Sequence, residues 1–261
     1  MMEFPLVMTA TIDTRAMPDL SVSDTSEREG QYLDTFAFYL ERGWVKDIVF
    51  IENSGWDLSK FHQLARQYPA VKTELISCDL NDFRRELGKS YGEMRLLDHA
   101  FDHSKSITGH DAFIKVTGRF PILNFDKLLR EAERRRPWEL FCDTKDHPVY
   151  DWLGNGWNGH AADTRFFIVT KAFYRNHFYG RYKDLDDSKD LWVEKLFFDV
   201  IQEECTKQPI VRRFRTELEL AGKAGHRQIS IIGTNNYSGW LARGKRRIRQ
   251  LGRWFFPWFW F

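Results

Sequence analysis

The sequence predicts an α/β domain: a mostly parallel sheet with helices on both faces, followed by a basic and aromatic tail. Three observations lead there. Short apolar, β-rich runs alternate with longer segments of helical periodicity over residues 4–135. At 261 residues the chain can bury one large core without disulfide or metal staples. Its three cysteines, Cys78, Cys142 and Cys205, are odd in number and scattered, which argues against a disulfide scaffold or a CxxC-type zinc site and fits a reducing compartment.

Phe4 to Ile12 reads as a buried first strand, with Asp13, Thr14 and Arg15 at its C-terminal end. Ser21 to Ser26 is a polar loop that offers N-cap residues. Tyr32, Leu33, Phe36, Phe38, Tyr39 and Leu40 form a helical face, so Glu27 to Arg42 reads as a helix that Gly43 ends. Asp47 to Glu52 is a second strand, closed by the turn Asn53-Ser54-Gly55. Leu58 to Gln67 reads as a helix and Val71 to Ser77 as a third strand. Leu87 to Ala100 opens on a Gly-Lys-Ser turn and continues as a helix. Ala112 to Thr117 is a fourth strand, ended by Gly118-Arg119, and Phe125 to Arg135 a further helix. Asn155 to Gly159 is a glycine-rich loop, Phe166 to Val169 a strand and Asp190 to Glu204 a last helix. There is no internal repeat. The expected organisation is one domain over residues 1–240 and a tail over 241–261.

Charge and hydropathy exclude several classes. Lys and Arg number 39 against 37 Asp and Glu, a net charge of +2, so no global field demands nucleic acid. Mean hydropathy is −0.51, and no run of about 18 apolar residues exists to span a bilayer. Met1 to Ile12 lacks a basic n-region and carries Glu3, unlike a signal peptide, so a cytoplasmic location is expected.

In parallel α/β sheets ligands sit outside the C-terminal ends of the strands. Asp13, Arg15, Glu52, Asn53, Lys115, Thr117 and Arg119 lie there, with Thr11 near the end of the first strand. In Phe113-Ile-Lys-Val-Thr-Gly-Arg-Phe120, Lys115 and Thr117 share one strand face and Arg119 lies just past a glycine. Two cations at that edge either neutralise a diphosphate without metal or pair with Asp111 or Asp126. Gly88-Lys89-Ser90-Tyr91-Gly92-Glu93 precedes a helix and is either a phosphate-binding helix start or an ordinary glycine turn. Its spacing is not that of a P-loop.

Arg165 either reaches a ligand or pairs with Asp163. Asp184-Leu-Asp-Asp187 reads as a divalent-ion site or a capping loop. Glu194 interrupts an apolar helical stretch; it is either a general base of raised pKa or a solvated neighbour of Lys195. Asp143, Lys145 and Asp146 echo a DxD metal motif without matching it. His147, His160 and His177 lack metal-ligand spacing, and neither HExxH nor GxSxG occurs.

Together, Thr9 to Asp13, Ile48 to Ser54, Gly88 to Glu93, Phe113 to Arg119 and Asp163 to Phe167 resemble bacterial GT-A-like glycosyltransferases of surface-polysaccharide loci. The resemblance runs in order through residues 4–205. It implies a GT-A-like, Rossmann-related fold and transfer of a sugar, of hexosyl type, from a nucleotide-sugar donor (UDP-linked or similar) to a lipid-linked lipopolysaccharide, O-antigen or capsule chain. It places Asp13 and Arg15 near the nucleotide, Glu52 and Asn53 beside it, and Lys89 at the phosphates. Thr11, Thr117 and Arg165 join the donor site. The sequence departs from the family at the fourth strand, where Lys115-Val-Thr-Gly-Arg119 stands in place of the DxD that binds Mn²⁺ or Mg²⁺. Lys115 and Arg119 then supply the positive charge, and no protein metal ligand is expected. Glu194 is the candidate base if configuration inverts.

The tail is strongly biased. Arg243, Lys245, Arg246, Arg247, Arg249 and Arg253 are basic, and Trp254 to Phe261 is aromatic apart from Pro257. Cations near acidic headgroups contribute about 1 kcal/mol each, and Trp and Phe favour the bilayer interface. The expected partner of residues 243–261 is an anionic membrane surface at the inner face of the cell membrane; packing onto the domain or onto a partner protein is the alternative. Nucleic acid is not expected, because basic and aromatic residues do not interleave. Two other classes compete with the glycosyltransferase: a non-catalytic membrane-peripheral scaffold of degenerate transferase fold, and a nucleotidyl- or phosphotransferase.

Overall fold

The computed structural model describes residues 3–15, 23–147, 152, 159–221 and 251–255. The elements run β1 (Leu6–Ala10), α1 (Thr25–Arg42), β2 (Asp47–Glu52), α2 (Ser59–Ala65), β3 (Lys72–Ser77), α3 (Gly88–His103), α4 (Lys105–Thr108), β4 (Ala112–Thr117) and α5 (Phe125–Arg134). There follow β5 (Leu140–Asp146), β6 (His160–Thr170), α6 (Lys171–His177), α7 (Val193–Glu204) and β7 (Ile210–Val211). The strands form one seven-stranded sheet of order β3-β2-β1-β4-β6-β5-β7. β1 to β4 are parallel, while β6 runs antiparallel to both β4 and β5.

Strand alternation divides the core into two layers. Leu6, Met8, Ile48, Phe50, Ile114 and Val116 face one side, where Phe36 and Tyr39 of α1 and Phe125 and Leu128 of α5 cover them. Val7, Val49, Ile51 and Phe113 face the other, against Leu96 and Leu97 of α3 and Phe197 and Ile201 of α7. The helix signals behave as expected in α1. Asp24 caps it by accepting from Glu27 N–H at 2.7 Å, and Gly43 ends it with φ 57°.

The structure departs from expectation in its later part. β6 begins at His160, well before Phe166, and runs antiparallel; β5, α6 and β7 add elements the sequence did not announce. β5 was hidden because Asp143, Lys145 and Asp146 break its apolar run. Asp143 is nonetheless buried: Arg213 Nη1 lies 3.2 Å from Oδ1, Arg253 Nη1 lies 2.9 Å from Oδ2, and Phe214 N–H donates at 2.9 Å. Arg253, expected among the headgroup-binding cations, is therefore folded into the domain. Residues 243–250 and 256–261 of the expected membrane-binding tail lie outside the described residues. Among the described residues no helix is long and apolar enough to cross a membrane.

Candidate active site

A cavity of about 280 Å³ opens at the C-terminal ends of β1 and β4. Thr9, Ala10 and Thr11 of β1 and its exit form one wall, and Thr117, Arg119 and Phe120 another. Lys89 and Glu93 enter from the first turns of α3, Thr164 and Arg165 from β6, and Glu194 from the start of α7. Asn53 and Phe83 complete the edge. The cavity thus gathers Thr11, Asn53, Lys89, Thr117, Arg119, Arg165 and Glu194 from the sequence candidates. Asp13, Arg15, Glu52 and Lys115 do not line it.

Each exception has a physical cause. Glu52 is fully buried and braces its own turn. Its Oε1 accepts Ile12 N–H at 2.9 Å, and its Oε2 accepts Ser54 N–H at 2.8 Å and Trp56 N–H at 3.0 Å. Asp13 accepts Arg15 N–H at 2.8 Å and receives Asn81 Nδ2 on its carbonyl at 3.0 Å. Arg15, at φ 47°, turns to Asp79, 2.7 Å away. These contacts shape the loop after β1 and hold Asp13, Arg15 and Glu52 outside the cavity lining.

Lys115 is the largest correction. Alternation along β4 turns its side chain toward α3, where it is 1 % exposed. Nζ pairs with the Glu93 carboxylate and donates to the Thr164 carbonyl at 2.8 Å and to Thr117 Oγ1 at 3.4 Å. A buried lysine without such partners would be costly, so its charge is spent within the fold. The phosphate-cradle reading of the α3 start is corrected as well. Gly88 adopts φ +76° beneath Asp187, whose Oδ2 takes the Lys89 N–H at 2.9 Å. The Lys89 side chain remains exposed at the rim.

Arg119 is the opposite case. It is 8 % exposed, and its buried Nη1 has no hydrogen-bond partner among the described residues. Its guanidinium lies 5.0 Å from the Phe120 ring. Burial pulls its pKa below the usual arginine value and the nearby Arg28 cation adds to this, while Tyr32 and the Glu27 carboxylate oppose it. Gly118 allows the placement: a Cβ there would meet the Thr9 carbonyl oxygen at 2.6 Å, so only glycine lets the end of β4 lie this close to β1.

Glu194 is half-buried at the first turn of α7. Burial pushes its carboxyl above the ordinary value; a local backbone hydrogen bond and Lys89 oppose this, and Glu93 and Asp187 reinforce it. Arg165 lines the cavity but is gripped by Asp163, with Nε 2.7 Å from Oδ1, and this carboxylate pushes the arginine pKa up.

Sequence reasoning missed three contributors. Arg28 of α1 is buried and holds the exit of β1 through the Thr11 carbonyl at 2.9 Å and the Ile12 carbonyl at 3.2 Å. Tyr32 accepts Thr11 N–H at 3.0 Å. Glu93 brings a second carboxylate into the cavity. A polar or charged residue on an otherwise apolar helix face was the signal available for Arg28 and Tyr32.

The donor set does not fit a resident divalent cation. Glu93 and Glu194 are the carboxylates among the lining residues, and Glu93 Oε1 already carries Lys115 and Thr9. Among the described residues no group of three or more His, Cys, Asp or Glu side chains converges on a possible metal position. Asp143 is committed to two arginines, and Asp187 to the start of α3.

No protein-family model matches the chain, and no curated protein matches it in sequence. Solved structures resemble it at the level of fold. A Bacillus anthracis protein assigned as a glucose-1-phosphate thymidylyltransferase, in complex with a sucrose, is 9% identical. Its TM-score is 0.50 over 94% of this chain and 96% of its own. The inositol-1-phosphate CTP transferase from T. maritima and mouse xyloside xylosyltransferase 1 each have a TM-score of 0.46, at 10% and 12% identity, over 80% of this chain and 84% of theirs. The chain is an α/β domain built on a mostly parallel seven-stranded sheet flanked by helices, a fold it shares with the Bacillus anthracis protein.

Proposed function

We propose that the chain is a glycosyltransferase that takes a sugar from a nucleoside-diphosphate donor, UDP-linked or similar, and adds it to a lipid-linked acceptor of a growing surface polysaccharide. The observation that carries the reading is Arg119: a buried guanidinium with an unpartnered Nη1, lining a cavity at the C-terminal end of a parallel sheet. Such a cation is stabilised by an anion of matching geometry, and a diphosphate is one. Lys89 at the rim adds a second positive charge.

In the reaction the bond between the anomeric carbon and the diphosphate oxygen breaks, and its electron pair stays on the diphosphate. Arg119 and Lys89 stabilise the charge that develops there. Glu194 accepts the proton of the attacking acceptor hydroxyl as the new carbon–oxygen bond forms, in an inverting transfer. Its raised pKa makes it a stronger base than an ordinary carboxylate. The acid-free, basic and aromatic C-terminal sequence supports a position at an anionic membrane surface, where a lipid-linked acceptor resides.

The test is a thermal-shift screen with UDP and other nucleoside diphosphates, followed by donor hydrolysis assays with the matching nucleotide sugars. A nucleoside diphosphate should raise Tm, and release of that diphosphate from its sugar should follow. No shift with any of them would overturn the reading and leave the scaffold. Pyrophosphate release from a nucleoside triphosphate and a sugar phosphate would replace it with nucleotidyl transfer.

A further inference from the structure

The helical turn at residues 251–255 is anchored on one side and open on the other. Inward, Arg253 is 5 % exposed, with Nη1 2.9 Å from Asp143 Oδ2 and 3.0 Å from the Phe214 carbonyl. This contact joins residues 110 apart in sequence. Arg213 holds the same carboxylate from its other oxygen. Outward, Leu251, Trp254 and Phe255 are 57%, 62% and 68% exposed, and their spacing of three and four residues sets them on one helical face. The Trp254 ring lies 5.3 Å from the Arg215 guanidinium, a second contact that seats the turn on the domain.

A cluster of large apolar side chains facing solvent marks an interaction surface. The flanking sequence selects the occupant. No acidic residue follows Glu219. Arg243, Lys245, Arg246, Arg247 and Arg249 precede the turn, and Phe256 to Phe261 is aromatic apart from Pro257. Cationic and acid-free on one flank, aromatic on the other, the segment complements anionic headgroups above an acyl boundary. We propose that Leu251, Trp254 and Phe255 form an anchor face that seats on an anionic bilayer, and that Arg253, locked onto Asp143, fixes this face to the transferase domain. The proposal rests on the membrane-side part of the function given above and names the residues that carry it. A face bound through a buried ion pair holds the domain in one orientation on the surface, where a tethered tail would not.

The experiment is co-sedimentation of the full chain with phosphatidylcholine vesicles, with and without phosphatidylglycerol. The wild-type chain should pellet with the phosphatidylglycerol vesicles. The triple variant Leu251→Ser, Trp254→Ser, Phe255→Ser should partition about tenfold less, with the shift induced by UDP unchanged. Arg253→Met, which leaves the face intact, should partition about threefold less because the face is no longer held in place. Wild-type partitioning by the triple variant overturns the anchor face; wild-type partitioning by Arg253→Met overturns the role of Arg253. A wild-type chain that ignores both vesicles removes the membrane reading altogether. A dimer in light scattering that the triple variant dissolves would show that a second copy covers the face, and would also overturn the proposal. Failure of the UDP shift alone sinks the donor reading and leaves this result standing.

Discussion

Lys115 and Arg119 lie four residues apart in one motif and have opposite fates. Lys115 meets Glu93 across the sheet–helix interface, while Arg119 meets no carboxylate. Their substitutions should separate accordingly. Arg119→Met should lower kcat/KM about 100-fold and abolish stabilisation by UDP, with Tm unchanged or higher because a buried cation with an unpartnered Nη1 is lost. Lys115→Met should lower stability by about 2 kcal/mol in denaturant titration, because Glu93 loses its cation. Equal activity in wild type and Arg119→Met would remove the diphosphate role. Glu194 gives a pH signature of its own. Its raised pKa means that kcat/KM should fall on acidification through a limb lying above the ordinary carboxylate range, as the base becomes protonated. Glu194→Gln should lose that limb together with most of the rate. At this scale the sequence reported which residue types stand at the strand ends, but not their partners. Glu93 is 22 residues from Lys115, and only the packing of α3 on that face of β4 brings the two together. Glu52 misled for the same reason, since a carboxylate at a strand end looks alike whether it meets a ligand or, as here, three donors of its own turn and Ile12 N–H from the exit of β1.

The elements were legible wherever local pattern decides them. β2 and β4 occupy the spans read from their apolar runs, and α1 begins and ends at its cap residues. β5 was not legible, because a long-range ion pair pays for burying Asp143. The direction of β6 was not legible either, because strand periodicity carries no sign. That direction matters to the site. Since β6 runs antiparallel with Lys115 opposite Phe167, its early residues Thr164 and Arg165 arrive at the C-terminal end of β4 and join the cavity. The close approach of β4 to β1 yields a further expectation. Gly118→Ala places a Cβ against a backbone oxygen and should cost about 2 kcal/mol, several degrees in Tm, while weakening donor stabilisation by displacing Arg119. α3 and α6 are joined by Asp98, which accepts Tyr174 Oη–H at 2.6 Å and Gly180 N–H at 2.8 Å. Burial raises the Asp98 carboxyl from 3.8 to about 6. The folded state therefore holds this proton more tightly than the unfolded chain, so the stability contributed is fully present below pH 3.8 and is lost as pH rises through about 6. Tm measured across that window should show this loss, and Asp98→Asn should flatten it.

On the scale of the whole molecule, the topology gathers four cations around the cavity at the C-terminal ends of β1 and β4. Of the cations lining the cavity, Arg28 is engaged by backbone carbonyls and Arg165 by Asp163. Arg119 and Lys89 line the same cavity as Glu194 and are the two cations that the proposed reading assigns to the diphosphate. Lys115 lies behind Glu93 and offsets that carboxylate. On the proposed reading a diphosphate meets Arg119 already positioned by burial, and the free carboxylates among the lining residues are too few to chelate a cation of their own. Stabilisation by a nucleoside diphosphate, and turnover of its sugar, should therefore survive excess EDTA with little change. Raised salt should weaken both, because Lys89 is exposed and its attraction is screened. If EDTA abolishes both and Mn²⁺ or Mg²⁺ restores them, the phosphates are held through a metal, and the buried guanidinium of Arg119 must then answer to a different anion.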